Sequence, residues 1–190
     1  MRQLETANLI FSIIIIVTVE VYEAIKARRS IRSYKSEPVP EDKLRKVLNA
    51  ARLAPSAKNL QPWKFIVVRD EETKRKLIGA CNNQKFIAEA PIVIVACAMP
   101  DESFAFLGGY TSSWLLDLGI AFEHIILQAT SEGLATCWVG SFKEEKVKEV
   151  LGIPPNARVV ALAPLGYANE IPEPRARKQL EEIVCYDKWS

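Results

Sequence analysis

The sequence predicts a single domain of mixed α and β packing, and three observations lead there. Apolar runs rich in β-branched residues recur at 64–69, 90–98 and 158–166, separated by stretches whose apolar residues fall at helical spacing. No internal repeat or linker-like stretch divides the chain, which suits one domain better than two. Its 190 residues are 49% hydrophobic, enough to bury one sizeable core, alone or completed by a partner chain. Strand order is not set by this pattern, because helix-rich connections fit both a parallel α/β sheet and an α+β layer structure.

Taken in order, "LIFSIIIIVTV" from Leu9 to Val19 is strongly apolar but shorter than the ~20 residues a membrane-spanning helix needs. A strand or buried helix is expected there, and residues 1–20 read as an apolar extension to a domain over 21–190. "EVYEAIKARRS" reads as a helix, with Val21, Ala24 and Ile25 on one face and arginines at its C-terminal end. Pro38 and Pro40 break the chain before "EDKLRKVLNAARLA", where Leu44, Val47, Leu48 and Ala51 make a second amphipathic helix that stops by Pro55. "PSAKNLQPW", Pro55 to Trp63, is a polar loop leading into the strand "KFIVVR". "EETKRKLIGAC" returns to helical spacing, and "APIVIVACA", Ala90 to Ala98, is a strand to be covered on both faces.

"SWLLDLGIAFEHIILQATS", Ser113 to Ser131, is apolar around most of its circumference, so its helix must be covered on several sides, in part by another chain. "LATCWVG" predicts a short strand. In "SFKEEKVKEVLG" the spacing of Ser141 and Glu144 fits a capping box, with Gly152 as the stop, so a helix is expected immediately after Gly140. "RVVALAPLG" is a further strand, and a proline-containing tail with the basic turn "PRARK" follows.

Charge narrows the function classes. With 25 Lys+Arg against 23 Asp+Glu, net +2, the chain lacks the broad basic surplus of a nucleic-acid binder, so a basic site must be local and fits a small anion. Four cysteines without a C-x-x-C pair, two of them in apolar runs, suit a reducing, cytoplasmic setting, and no metal site is expected. His124 is the only histidine, which rules out a His-based zinc cluster in one chain and reads as an ordinary helix residue. Neither G-x-G-x-x-G nor G-x-x-x-x-G-K-[ST] occurs.

Four clusters remain: "RRSIR" (Arg28, Arg29, Ser30, Arg32), "PSAKNLQPW", "WVGS" (Trp138, Val139, Gly140, Ser141) and "PRARK" (Pro174 to Lys178). Converging Arg and Ser donors suit an oxyanion such as phosphate. Each cluster also has a plain structural reading: a solvated helix C-terminus, a self-bonded loop, a strand-to-helix turn, a solvated basic turn.

Together and in this order, "EAIKARRSIRSY", "LAPSAKNLQPWKFIVV", "FIAEAPIVIVACA", the long buried helix, "GLATCWVGSF" and "RKQLEEIV" resemble the FMN-dependent nitroreductase family over Val21 to Trp189. The resemblance implies an α+β sandwich with a mixed, mainly antiparallel sheet flanked by helices, and an intertwined homodimer binding two FMN. It implies NADH or NADPH as electron donor, a nitroaromatic, quinone or similar small-molecule acceptor, and ping-pong turnover. A flavin-binding or regulatory module of the same fold with little turnover is the alternative.

By the same resemblance, Arg28, Arg29 and Ser30 bind the FMN phosphate and flavin edge. Arg32 stands near N1 and O2 as an electrostatic stabiliser, the flavin itself carrying the chemistry. Pro55, Ser56 and Asn59 reach the flavin from the partner, Trp138 to Ser141 approach it through backbone groups at a helix N-terminus, and Arg175 and Arg177 complete the phosphate clamp. Gln84, in "NNQKF", fits the flavin-contacting loop loosely. Gly140 stands where some members carry a Glu linked to nicotinamide placement.

Overall fold

The computed structural model of the chain describes residues 20–189, so the expectation for Leu9 to Val19 lies outside the described residues. The elements in chain order are α1 (Val21–Ala27), α2 (Glu41–Arg52), β1 (Trp63–Val68), α3 (Glu71–Ala80), α4 (Phe86–Glu89), β2 (Ile92–Ala98), α5 (Trp114–Ser131), β3 (Ala135–Thr136), α6 (Glu144–Leu151) and β4 (Arg158–Gly166). The four strands form one sheet in the order β1-β2-β4-β3, and every pair of named strands is antiparallel. A single parallel bridge, Ser30 to Thr136, makes the sheet mixed. The fold is α+β, as expected from the resemblance.

Side-chain alternation along β2 explains why the strand is apolar throughout. Ile92, Ile94, Ala96 and Ala98 face a core shared with α2 and α5, whereas Val93, Val95 and Cys97 face a second core shared with α3 and α6. Alanines at 96, 98, 161 and 163 on the first face let the long helix α5 lie close to the sheet. Its residues Leu118, Ala121, Phe122, Ile125, Ile126 and Ala129 are all buried at helical spacing. Each large side chain buried there contributes roughly 1.5–3 kcal/mol. Leu115 and Leu116, on the same helix, remain more than half exposed within the single chain.

Two expectations need correction. α1 forms as expected, but of its apolar face only Ala24 is buried, while Val21 and Ile25 stay exposed, being left uncovered by the described residues. α6 does not start immediately after Gly140: it begins at Glu144, with Lys143 at its N-cap. The reason is competition for the two capping groups. Glu144 accepts from Arg158 Nε (3.0 Å) and Val159 N (2.9 Å), and the Ser141 hydroxyl accepts from Asn82 Nδ2 (2.9 Å). Gly152 does end the helix, in the left-handed conformation at φ 64°.

Burial pushes the Glu144 carboxyl up, but the bonds from Arg158 and Val159 and the Lys148 charge outweigh it and hold the group below its ordinary value of 4.5. A lowered carboxyl stabilises the fold above that value, and the contribution is lost as pH falls through the lowered folded value. Glu144→Gln should therefore be less stable than wild type at pH 7 and lose less stability between about pH 5 and pH 3. Urea unfolding across that range checks both signs.

Candidate functional site

The basic turn is positioned by three restraints. α1 packs on α5, and the chain leaves helical geometry at Arg28 (φ −55°, ψ 129°). Ile31 N then donates to Thr136 O (2.9 Å), which fastens the extended turn to the short edge strand β3. Buried Tyr34 closes the turn by donating its hydroxyl to Ile31 O (2.8 Å). Burial pushes the Tyr34 phenol well above its ordinary value, so it stays a donor.

This scaffold brings the predicted phosphate-binding residues together. Arg28, Arg29, Ser30 and Arg32 line one cavity of about 430 Å³ with Arg175 and Arg177, which the C-terminal tail carries back across it. Arg29 Nη1 donates to the carbonyls of Lys26 (2.7 Å), in the last turn of α1, and Arg28 (2.9 Å), just past it, a helix end that favours a cation. Its Nε is buried and has no hydrogen-bond partner among the described residues. Such an atom is expensive unless a ligand completes it. Among the described residues, Arg177 bonds only to tail carbonyls through Nη1, at 3.3 Å each.

The "WVGS" stretch continues directly from the strand that holds this turn. Burial pushes the Cys137 thiol up, opposed by the Arg32 charge, a hydrogen bond with Ser30 and the Arg28 charge, so its side chain lies against the basic turn. Trp138 packs edge-to-face on Phe122 of α5 at 4.6 Å, and Val139 rejoins the sheet opposite Leu162. Gly140 and Ser141 are exposed in an irregular segment, not at a helix N-terminus, since α6 starts three residues later. Gln84 lies beside this segment, donating Nε2 to Ser141 O and Cys81 O, 2.9 Å each.

Pro55, Ser56 and Asn59 do not line the arginine cavity. They sit in a loop fixed to the first turn of α5, where Ala57 N donates to Asp117 Oδ1 (3.0 Å), while Ser56 Oγ accepts from Gln61 N (2.9 Å). Lys58, Asn59 and Gln61 all have positive φ, 51°, 56° and 52°. Left-handed backbone costs roughly 1–2 kcal/mol for each residue with a side chain, so this loop is held in a shape it would not choose. Reading the sequence missed Asp117. The available signal was a lone acid four residues after Ser113 at the start of an otherwise apolar helix face.

A helix-covered, mainly antiparallel sheet whose short edge strand carries an arginine turn, with a second cationic segment lining the same cavity, defines an α+β protein with a locally basic cavity. Residues 25–84 and 78–167 match the model of the nitroreductase family, and the chain belongs to that family. It is 37% identical over 188 residues to an NADH dehydrogenase of Thermus thermophilus, covering 84% of this chain and 92% of that one. Among solved structures, it is similar to a nitroreductase family protein from Clostridium difficile 630 (34% identity, TM-score 0.81, 90% and 99% of the two chains covered). An FMN-dependent nitroreductase from Clostridium difficile R20291 gives 32% identity and a TM-score of 0.75, covering 87% and 98%.

The bonds of Gln84 predict a measurable structural contribution. Gln84→Ala removes the tie to the Ser141 carbonyl and should lower unfolding free energy by about 1 kcal/mol. Urea titration followed by tryptophan fluorescence reads the change.

Proposed function

We propose that this chain is an FMN-dependent oxidoreductase that passes reducing equivalents from NADH or NADPH to a small oxidised acceptor such as a nitroaromatic or quinone. The observation that carries the reading is the convergence of Arg28, Arg29, Ser30, Arg32, Arg175 and Arg177 on one cavity. Guanidinium groups gathered this closely repel one another, and a phosphate dianion reverses the sign of that interaction while accepting their N–H donors. These donors fit the FMN phosphate.

Bound FMN supplies the two-electron redox chemistry, taken from the nicotinamide in one half-reaction and delivered to the acceptor in the next. The protein contributes binding, orientation and field. Arg28, Arg29, Ser30, Arg175 and Arg177 hold the phosphate end. Arg32 is exposed and lies 6.0 Å from the Phe86 ring; it provides a fixed positive charge for the pyrimidine side of the flavin and raises its reduction potential. Backbone groups of Trp138, Val139, Gly140 and Ser141, with Gln84 behind them, form a wall beside the flavin, and no side chain need act as acid or base.

A second copy of the chain completes the site in this reading. Leu115 and Leu116 on α5, Val21, Tyr22 and Ile25 on α1, and Ile171, Leu180, Ile183, Tyr186 and Trp189 on the tail are all large apolar residues left exposed by one chain. Covering them with an identical partner buries both sets at once and brings the partner's copy of the loop bearing Pro55, Ser56 and Asn59 to the flavin. Residues 21–190 then act as one flavin-binding domain. Among the described residues no helix is long and apolar enough to cross a membrane. A cytoplasmic setting is supported by the buried thiols of Cys81, Cys97 and Cys137.

Purified protein should carry a flavin visible absorption spectrum, release FMN by mass, and bleach anaerobically with NADH or NADPH. Flavin that neither donor reduces would replace this reading by the binding-module alternative, and protein that takes up no FMN would overturn it. Arg29→Ala should weaken FMN binding by about 10- to 100-fold, the worth of a lost charge-assisted bond. Light scattering should give twice the 21.3 kDa chain mass, and a monomer would remove the shared site.

A further inference from the structure

We propose that Lys74 is a positioning residue: its buried ammonium fixes the segment from Phe86 to Pro91, on which the basic turn rests, and so holds Arg32 where its charge acts on the flavin. The proposal rests on the oxidoreductase reading above. Lys74, on α3, is 1% exposed and is the one buried lysine among the described residues. Taking an ammonium out of water is costly unless its three N–H donors are used. Nζ lies 2.7 Å from Ala90 O, 3.4 Å from Pro91 O and 2.7 Å from Glu71 Oε1. Glu71 pairs with it from one turn away on the same helix, whereas Ala90 and Pro91 stand sixteen and seventeen residues on. A methionine would fill much the same space without tying α3 to those two carbonyls.

What Lys74 ties down is the floor of the basic turn. Ala90 is buried in a small core with Ile31 and Tyr34 of the turn and Ala135 of β3, and Phe86 and Ala168 pack against it. Tyr34 N donates to Glu89 Oε2 (3.4 Å), and the guanidinium of Arg32 stands 6.0 Å from the centre of the Phe86 ring, within cation–π reach. Gly166 on β4 admits the far side of the segment: a Cβ there would lie 2.7 Å from Pro91 Cδ and 3.4 Å from Tyr34 Cδ1. α4 itself is only four residues long, and so short a helix does not hold its shape unaided. The Phe86 ring therefore takes its place from what anchors the segment, and the exposed Arg32 side chain takes its place from that ring. A loosened segment lets the guanidinium swing into water, where its charge is screened and stabilises reduced flavin less.

The test is an anaerobic spectroelectrochemical titration of full-length, FMN-loaded wild type, Lys74→Met, Phe86→Leu and the double variant. Each single variant should disfavour reduced flavin by about 3- to 10-fold, a fall of roughly 15–30 mV at about 30 mV per tenfold change for a two-electron couple. The double variant should fall little further than the lower single one, because both act through the contact of Arg32 with Phe86. Leu44→Val loosens α2 in the first core, which contains no residue of the segment from Phe86 to Pro91, so it should lower unfolding free energy and leave the potential unchanged. An unshifted potential in Lys74→Met, or an equal fall in Leu44→Val, overturns the proposal and leaves the oxidoreductase reading intact. Full additivity in the double variant also overturns it, since Lys74 would then act through its own charge. Should Lys74→Met fail to fold, an unshifted potential in Phe86→Leu overturns the proposal in its place. Wild type that takes up no FMN, or whose flavin neither NADH nor NADPH reduces, overturns both.

Discussion

The arrangement of the site depends on one short piece of backbone pairing, the parallel bridge between Ser30 and Thr136 with its Ile31 N to Thr136 O bond. β3 is only two residues long and sits at the sheet edge, where unpaired backbone groups would otherwise face solvent. By occupying that edge the basic turn gains a rigid mount. It also takes its position from the same strand that sends Cys137 and Trp138 past it. The arginines and the "WVGS" wall are consequently fixed relative to each other by about three residues of β structure, and α1 has only to deliver the chain. Tyr34, buried behind the turn and bonded to Ile31 O, prevents it from peeling away.

Most of the fold was legible because its elements declare themselves through periodicity. β2 reads as a doubly covered strand since both of its faces meet a core, and α5 reads as a buried helix since its apolar face is unusually wide. Antiparallel strand order was not legible from pattern and came only with the family resemblance, because pattern reports which faces are covered but not which neighbour covers them. The start of α6 was misjudged for a similar reason. Ser141 and Glu144 have capping-box spacing, yet Arg158, fourteen residues on, and Asn82, nearly sixty residues back, offered them better partners.

The site was legible in the same uneven way. Arg28, Arg29, Ser30 and Arg32 are adjacent in sequence, and a local cluster can be seen locally; that Arg175 and Arg177 join them required the tail to fold back. Asp117 escaped notice because its importance lies wholly in long-range partners, a backbone N–H sixty residues away and a hydroxyl one helical turn before it. A lone acid in an apolar helix face is nonetheless a signal, since burial of a carboxylate is tolerated only where donors satisfy both oxygens.

The same accounting connects the arginine cluster to the exposed apolar residues of α1, α5 and the tail. Within one chain the structure carries two uncompensated costs: gathered positive charge around a buried, unpartnered Arg29 Nε, and large apolar side chains facing water. The tail takes part in both, bringing Arg175 and Arg177 to the cavity while exposing Ile171, Leu180 and Ile183. In the proposed dimer, a partner covering the tail would restrain the two arginines, and an anion neutralising them would restrain the tail against that partner. In the proposed dimer, flavin binding and chain association would be linked equilibria, each strengthened by the other.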